Sequence, residues 1–249
     1  MSSIEAGVIT FACLFGGALL GMRLRITLPG HHLSDDSRQL LAMGLGIVGT
    51  MAGLVLGLLV ASATSVYNAQ RSELLDVTSK VVILDRILAH YGPAAAPPRA
   101  ALRVAVARTL TRIWPQEDAP KLDPSAVGGE AILDRIENLS PKTDSQRSLK
   151  AEAIGLAINL GQVRWLMYTQ SGSSVSVPLL VVLIFWFTIT FVGFGLFSPA
   201  NSTVVTALGL CALAVSGAIF VTLAMYTPFE GLVRISSAPI RDALAHLGR

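Results

Sequence analysis

Four side chains of the kind that bind metal ions stand close together early in the chain. They are His31, His32, Asp35 and Asp36. Imidazole nitrogens and carboxylate oxygens are common zinc ligands, and an oligomer could bring several copies together. A helix start explains the same residues, because Ser34 suits an N-cap and the helix dipole favours aspartates in the first turn. We therefore predict no metal site and keep the four residues as candidates for a polar outer loop.

The second candidate site is a series of small residues in an uncharged stretch, residues 39–70. Its members are Gly49, Gly53, Gly57, Ala61 and Ser65, with Thr50 beside them. Residues four apart lie on one helix face, and a face without bulky side chains lets another backbone approach closely. The series predicts either a helix-packing surface or the wall of a pore, where an apolar constriction can gate ion flow by dewetting. Both interpretations stay open at this point.

Motifs of enzymatic chemistry are absent from the sequence. It contains no phosphate-binding glycine loop, no GxSxG elbow, no HExxH and no cysteine pattern for zinc. The interiors of the apolar stretches also lack Asp, Glu, Lys, Arg and His, the side chains that proton-coupled transporters use as relays. Cys13 and Cys211 each lie within an apolar run and suit the role of small hydrophobes. We predict no enzyme, no cofactor and no ion-coupled transporter.

The composition is that of an integral membrane protein. Of 249 residues, 52% are hydrophobic and 14% are charged, against about 25% charged in an average soluble domain. The mean hydropathy is +0.61. A net charge of +3 is ordinary for membrane proteins with basic cytoplasmic segments, so nucleic acid is not an expected partner. The first apolar run lacks the basic start of a secretory signal, and we expect it to remain as a span.

Four apolar runs predict four membrane-spanning helices, since about 20 helical residues cross the ~30 Å hydrocarbon layer. The predicted spans are residues 6–22, 39–64, 177–197 and 203–226. The second helix begins near Asp35 and does not end with its span. Apolar residues at spacings of three and four continue from Leu74 to Leu88, until Gly92 and Pro93 terminate the helix.

The segment between the second and third spans predicts a helical bundle. A second apolar series, Leu149 to Met167, matches the one from Leu74 to Leu88, so the two are expected to pack as antiparallel neighbours. Residues 94–98 are predicted as a hinge. The predicted bundle helices are residues 99–114, 130–139 and 144–170. The tail, residues 228–249, suits amphipathic pieces lying at a membrane interface.

The fold class is therefore all-α, in four parts. Residues 1–64 hold the first two spans, 65–174 the helical insert, 175–227 the last two spans and 228–249 the amphipathic tail. Four spans place both termini and the insert on one side. Arginine and lysine are more numerous at the membrane ends on that side, which favours the cytoplasm.

Three stretches resemble a bacterial bestrophin-like family of four-span membrane proteins. They are HHLSDDS at 31–37, GLLVASATSVYNAQRSEL at 57–74 and ILDRILAHYGP at 83–93. Bestrophins are pentameric anion channels whose second span lines the pore and supplies a hydrophobic neck. The resemblance implies a multi-pass protein of the bacterial inner membrane that assembles with copies of itself. The chain departs from bestrophins in lacking bulky aromatics on its second span.

Together these observations predict a homo-oligomeric ion channel whose pore is lined by residues 39–64. Anion conduction and a pentamer are implied by the resemblance alone. The expected partners are the lipid bilayer, other copies of the chain and inorganic ions. The alternative is a membrane scaffold or interaction protein that does not conduct.

Overall fold

The computed structural model of the protein describes residues 2–28, 35–114, 129–170, 176–229 and 231–248, without side-chain placement for 35–38, 129–130 and 164–170. The helices are α1 (Ser3–Thr27), α2 (Asp35–Tyr91), α3 (Ala96–Ile113), α4 (Gly129–Glu137), α5 (Asp144–Gln170), α6 (Val177–Phe197), α7 (Ser202–Met225) and α8 (Ala238–His246). The described ranges contain no strand, which confirms the all-α prediction. The predicted N-cap at Ser34 and the connections at 115–128 and 171–175 lie outside the described residues.

Four of these helices are long and apolar enough to cross a membrane: α1, α2 from Gln39 onward, α6 and α7. At two of them a side-chain hydrogen bond to the backbone caps the first turn. Ser2 and Glu5 form a reciprocal capping box at α1, and the Asn201 side chain accepts the backbone N–H of Val204 at the start of α7, at 2.8 Å. The four helices predicted as spans are therefore present.

The chain divides into two compact units. Met1–Tyr67 and Ser174–Val233 form the first, which we call the apolar unit; Asn68–Ser173 and Arg234–Arg249 form the second, which we call the bundle. Helix α2 contributes its first part to the apolar unit and its second part to the bundle.

In the apolar unit, α1 and α6 lie in close contact and run in the same direction. Gly17 lies against Thr188, and one turn later Gly21 lies against Val192. A Cβ atom added at Gly21 would fall on the Val192 carbonyl oxygen and 2.8 Å from the Leu196 nitrogen. Glycine is required here because backbone, which cannot move aside, occupies the space.

In the bundle, the second part of α2 packs against α5. Lys80 Nζ donates to Asn159 Oδ1 at 2.6 Å, and Gln146 Nε2 donates to the Tyr91 carbonyl oxygen at 2.9 Å. The numbering rises along one helix as it falls along the other, so the helices are antiparallel. Their shared core contains the apolar residues Val81, Leu84, Leu88, Leu149, Ala153, Leu156 and Leu160. The predicted pairing of the two apolar series is confirmed for these residues.

The predicted hinge at 94–98 is wrong. Pro93–Ala95 forms a 3₁₀ turn and α3 begins at Ala96, three residues earlier than predicted. Prolines are compatible with the first turn of a helix because its backbone N–H groups have no partner within the helix. Gly92, with φ at 111°, makes the reversal between α2 and this turn.

The tail packs on protein, whereas the sequence suggested a membrane interface. Ile235, Ile240, Ala243 and Leu247 are buried, and α8 lies against α3. Trp114 Nε1 donates to the Ile235 carbonyl oxygen at 3.0 Å. The amphipathic pattern was recognised correctly, but such a pattern cannot tell a lipid surface from a protein surface.

Candidate functional site

The first part of α2 uses one face to pack within the apolar unit. Ala52, Leu59 and Ala63 are buried on this face. Leu45 occupies the space left by Gly193 of α6, and Gly49 lies close enough to Thr190 that a Cβ would stand 3.6 Å from its Cγ2 atom. At this point α2 and α6 are antiparallel, since Leu45 meets Gly193 and Gly49 meets Thr190.

Next to the packed face lies a side of α2 with small residues, which we call the small flank. We define it by Gly53, Gly57, Ala61 and Ser65, all of which are exposed. A Cβ added at Gly53 or Gly57 would find no atom within 4 Å among the described residues. Of the three glycines in the predicted series, Gly49 is the one whose Cβ position lies within 4 Å of another described helix. Gly53 and Gly57 therefore do not serve close packing between the described helices.

A third side of α2 carries large apolar residues, which we call the bulky flank. Its members are Leu40, Met43, Ile47, Met51, Leu54 and Leu58, each at least 49% exposed. Together the two flanks leave α2 poorly covered. In its most apolar 18-residue window 11% of residues are buried, against 39% in α6 and 33% in α1. By this measure α2, together with α7 at 17%, is less covered than α1 and α6.

The polar side chains near the small flank are hydroxyls, and none of them is an acid or a base. Thr50 Oγ1 donates to the Gly46 carbonyl oxygen at 2.8 Å, so its hydroxyl proton is used within the helix. Beyond Ala61, Ser62 Oγ accepts from the Tyr226 hydroxyl at 3.1 Å, and Thr64 Oγ1 donates to the Val60 carbonyl oxygen at 2.9 Å. This part of α2 therefore offers apolar surface and a few hydroxyl oxygens, with no fixed charge.

The four polar candidates of the outer loop are placed only in part. His31 and His32 lie outside the described residues. Asp35 and Asp36 begin α2, which agrees with the predicted helix start, but their side chains are not described. In the described ranges no three residues among His, Cys, Asp and Glu come together as metal ligands would.

Sequence reasoning missed a buried ionic cluster in the bundle. Asp85 accepts two hydrogen bonds from Arg99, at 2.8 and 2.9 Å, and a third from the Gly248 backbone N–H at 3.2 Å. Burial opposes ionisation of this carboxyl group, but Arg99 and the Gly248 N–H together keep the pKa of Asp85 below its usual value. Asp85 lies 21 residues beyond the predicted span. The sequence did hold one sign of this cluster, because Asp85 stands among apolar residues of α2 that are buried.

Four long apolar helices and a bundle of amphipathic helices define a helical integral membrane protein. A family model described as "Bestrophin-like domain" matches residues 12–240. Since this match covers most of the chain, the protein belongs to the bestrophin-like family, and the resemblance seen in the sequence is confirmed. No curated protein and no solved structure matches the chain.

Proposed function

We propose that this protein is a homo-oligomeric ion channel in which the small flank of α2 lines the pore. Membership of the bestrophin-like family supports a channel, and resemblance to bestrophins favours anions as the conducted ions and a pentamer as the assembly. The outer-loop residues His31, His32, Asp35 and Asp36 would then lie near one mouth of the pore.

One observation carries the proposal: Gly53 and Gly57 have open space where their side chains would be. In a single chain this space belongs to no other described helix. Several copies arranged around an axis would turn it into a continuous passage along residues 39–64. The packed face with Ala52 and Leu59 would hold each α2 against its own subunit.

A passage of this kind would act as an apolar constriction. Ions lose hydration where a wall offers no charge, so conduction depends on the width of the wetted path. Glycine and alanine keep that path wide, and a larger side chain would narrow and dry it. Selectivity would come from weakly polar groups such as Thr50, since the predicted span has no ionisable residue.

The test is Gly53→Leu, measured for ion flux in liposomes and for oligomer size in detergent on the same preparation. Gly44→Leu is the matched control. Gly44 also has no atom of the described part of the chain within 4 Å of its Cβ position. It precedes Gly53 by nine residues, about two and a half turns, and so lies on the opposite side of α2. We expect Gly53→Leu to reduce flux several-fold with an unchanged oligomer, and Gly44→Leu to behave as wild type.

Other outcomes would contradict the proposal in different ways. If Gly53→Leu no longer assembles, the small flank is a contact between copies of the chain and not a pore lining, because leucine prevents close backbone approach. Wild-type liposomes that conduct neither anions nor cations would favour the scaffold.

The proposed orientation has the bundle and both termini in the cytoplasm of a bacterial inner membrane. Two exposed alanines test it in a background with Cys13 and Cys211 replaced by alanine: Ala151 on α5 and Ala200 between α6 and α7. We expect a membrane-impermeant maleimide to label Ala200→Cys in intact cells and Ala151→Cys only after lysis. The reverse pattern would invert the orientation.

A further inference from the structure

A groove of about 510 Å³ runs along α1 in the apolar unit. Gly16, Leu19, Leu20, Arg23 and Ile26 line it from α1, and Ala200 lines it from the connection between α6 and α7. The groove lies on the side of α1 away from its glycine contacts with α6. The groove is open on one side, and its lining is mostly apolar.

The dimensions of the groove match one leaflet of a bilayer. From Gly16 to Ile26 is ten residues, or about 15 Å of helix, and the hydrocarbon layer is ~30 Å thick. Gly16 deepens the groove, because it has no side chain and no atom of the described residues lies within 4 Å of its Cβ position. Leu20 and Arg23 follow at i+4 and i+7, on the same helix face. The apolar part can therefore accommodate one extended hydrocarbon chain.

One charge stands at the end of this groove. Arg23 is exposed and follows the uncharged run of residues 6–22, so it lies where the hydrocarbon layer gives way to headgroups. None of the described acidic side chains forms an ion pair with it. A guanidinium group binds phosphate through two parallel hydrogen bonds, and basic pockets beside spanning helices bind anionic headgroups.

We propose that this groove binds one phospholipid, with an acyl chain along Gly16 and Leu20 and an anionic headgroup on Arg23. A lipid fits both the apolar length and the terminal charge. A second copy of the chain fits less well, because covering the groove with apolar protein would bury Arg23 without a counter-charge. The proposal concerns α1 and holds whether or not the small flank of α2 conducts ions.

The test is native mass spectrometry of the purified full chain, titrated with dioleoyl phosphatidylglycerol or with dioleoyl phosphatidylcholine. The two lipids share their acyl chains and their phosphate, but choline offsets the phosphate charge. We expect the wild type to retain phosphatidylglycerol in preference to phosphatidylcholine. Arg23→Gln should reduce phosphatidylglycerol retention roughly tenfold, the loss expected for one charge-assisted pair.

Two further variants separate the headgroup from the acyl chain. Arg25→Gln removes a neighbouring charge that does not line the groove, and it should keep the wild-type preference. Gly16→Leu fills the groove where there is free space, so it should reduce retention of both lipids while oligomer size and melting temperature stay unchanged.

Three results would overturn the proposal. They are equal retention of the two lipids by the wild type, a preference for phosphatidylglycerol that survives Arg23→Gln, and full lipid retention by Gly16→Leu. A change of oligomer size in Gly16→Leu would also overturn it, since it would assign the groove to a contact between copies.

Discussion

In the apolar unit α1 and α6 approach until backbone lies against backbone, whereas in the bundle the helices are separated by interlocking leucine and isoleucine side chains. Gly21 and Gly195 represent the first kind of contact, and Leu84 and Ile136, both completely buried, represent the second. The difference follows from the surroundings. Lipid is as apolar as leucine, so spanning helices gain little from apolar burial and depend on close contact. Exposed charged residues on the bundle indicate water, where apolar burial drives packing.

A second difference lies within the apolar unit itself. Gly21 and Gly195 touch the backbone of a neighbouring helix, but Gly53 and Gly57 of α2 touch no described helix. All four lie in apolar runs, and three of them, Gly21, Gly53 and Gly57, belong to four-residue spacings of small residues. Small-residue spacing therefore marks a face that permits close approach, and the same pattern appears on faces with and without a partner.

The largest effect is expected from Leu84→Asp in the bundle. Leu84 is completely buried, and an unpaired buried charge costs about 3–5 kcal/mol or more. The bundle should lose its resistance to limited proteolysis. Ile158→Asp is the control, because Ile158 is 46% exposed on α5 and should tolerate the charge. Equal protection of the two variants would mean that the leucine core does not hold the bundle together.

A somewhat smaller loss is expected from Gly195→Ala in the apolar unit. The added Cβ would fall on the Ala18 carbonyl oxygen and lie 3.0 Å from the Met22 nitrogen, so α1 and α6 must separate. Overpacking of this kind costs roughly 3 kcal/mol, which should lower the melting temperature in detergent by several degrees.

Gly57→Ala is the matched control, since the same added methyl group meets open space there. It should leave the melting temperature unchanged. If the two alanine variants melted alike, the distinction between packed and open glycines would be wrong.

The smallest effect is expected from Asp85→Asn, which tests whether the bundle also depends on polar contacts. Asparagine keeps one acceptor oxygen but removes the carboxylate charge that Asp85 presents to the partly buried Arg99, a loss of about 1–2 kcal/mol at neutral pH. The control is Asp76→Asn, which removes an exposed ion pair with Lys80 worth about 0.3–0.5 kcal/mol.

The pH dependence of this loss has a definite sign. Because folding lowers the pKa of Asp85, its contribution to stability is complete above the unfolded value of about 3.9 and is lost as pH falls through the lower folded pKa. The difference between wild type and Asp85→Asn should therefore shrink below about pH 4. A difference that persists unchanged in acid would show that the charge of Asp85 is not what stabilises the cluster.

The sequence alone determined where the long helices lie and which of them are apolar, although it missed the start of α3. Val177–Phe197 begins and ends as predicted, α7 differs by one residue at each end, and α2 ends at Tyr91 before Gly92 and Pro93. These features depend on residues close together in the chain: hydropathy, the 3.6-residue period and residues that stop helices. The pairing of α2 with α5 was also predictable, because both carry a long apolar series of matching period.

Only the tertiary structure decided which surfaces have partners. It packed Gly21 and Gly195 against backbone, left Gly53 and Gly57 open, and placed the apolar face of α8 on α3. It also brought Gly248 to Asp85, 163 positions away in the chain. A residue pattern specifies the shape and polarity of a helix face, but the contact made by that face depends on which distant segment folds against it.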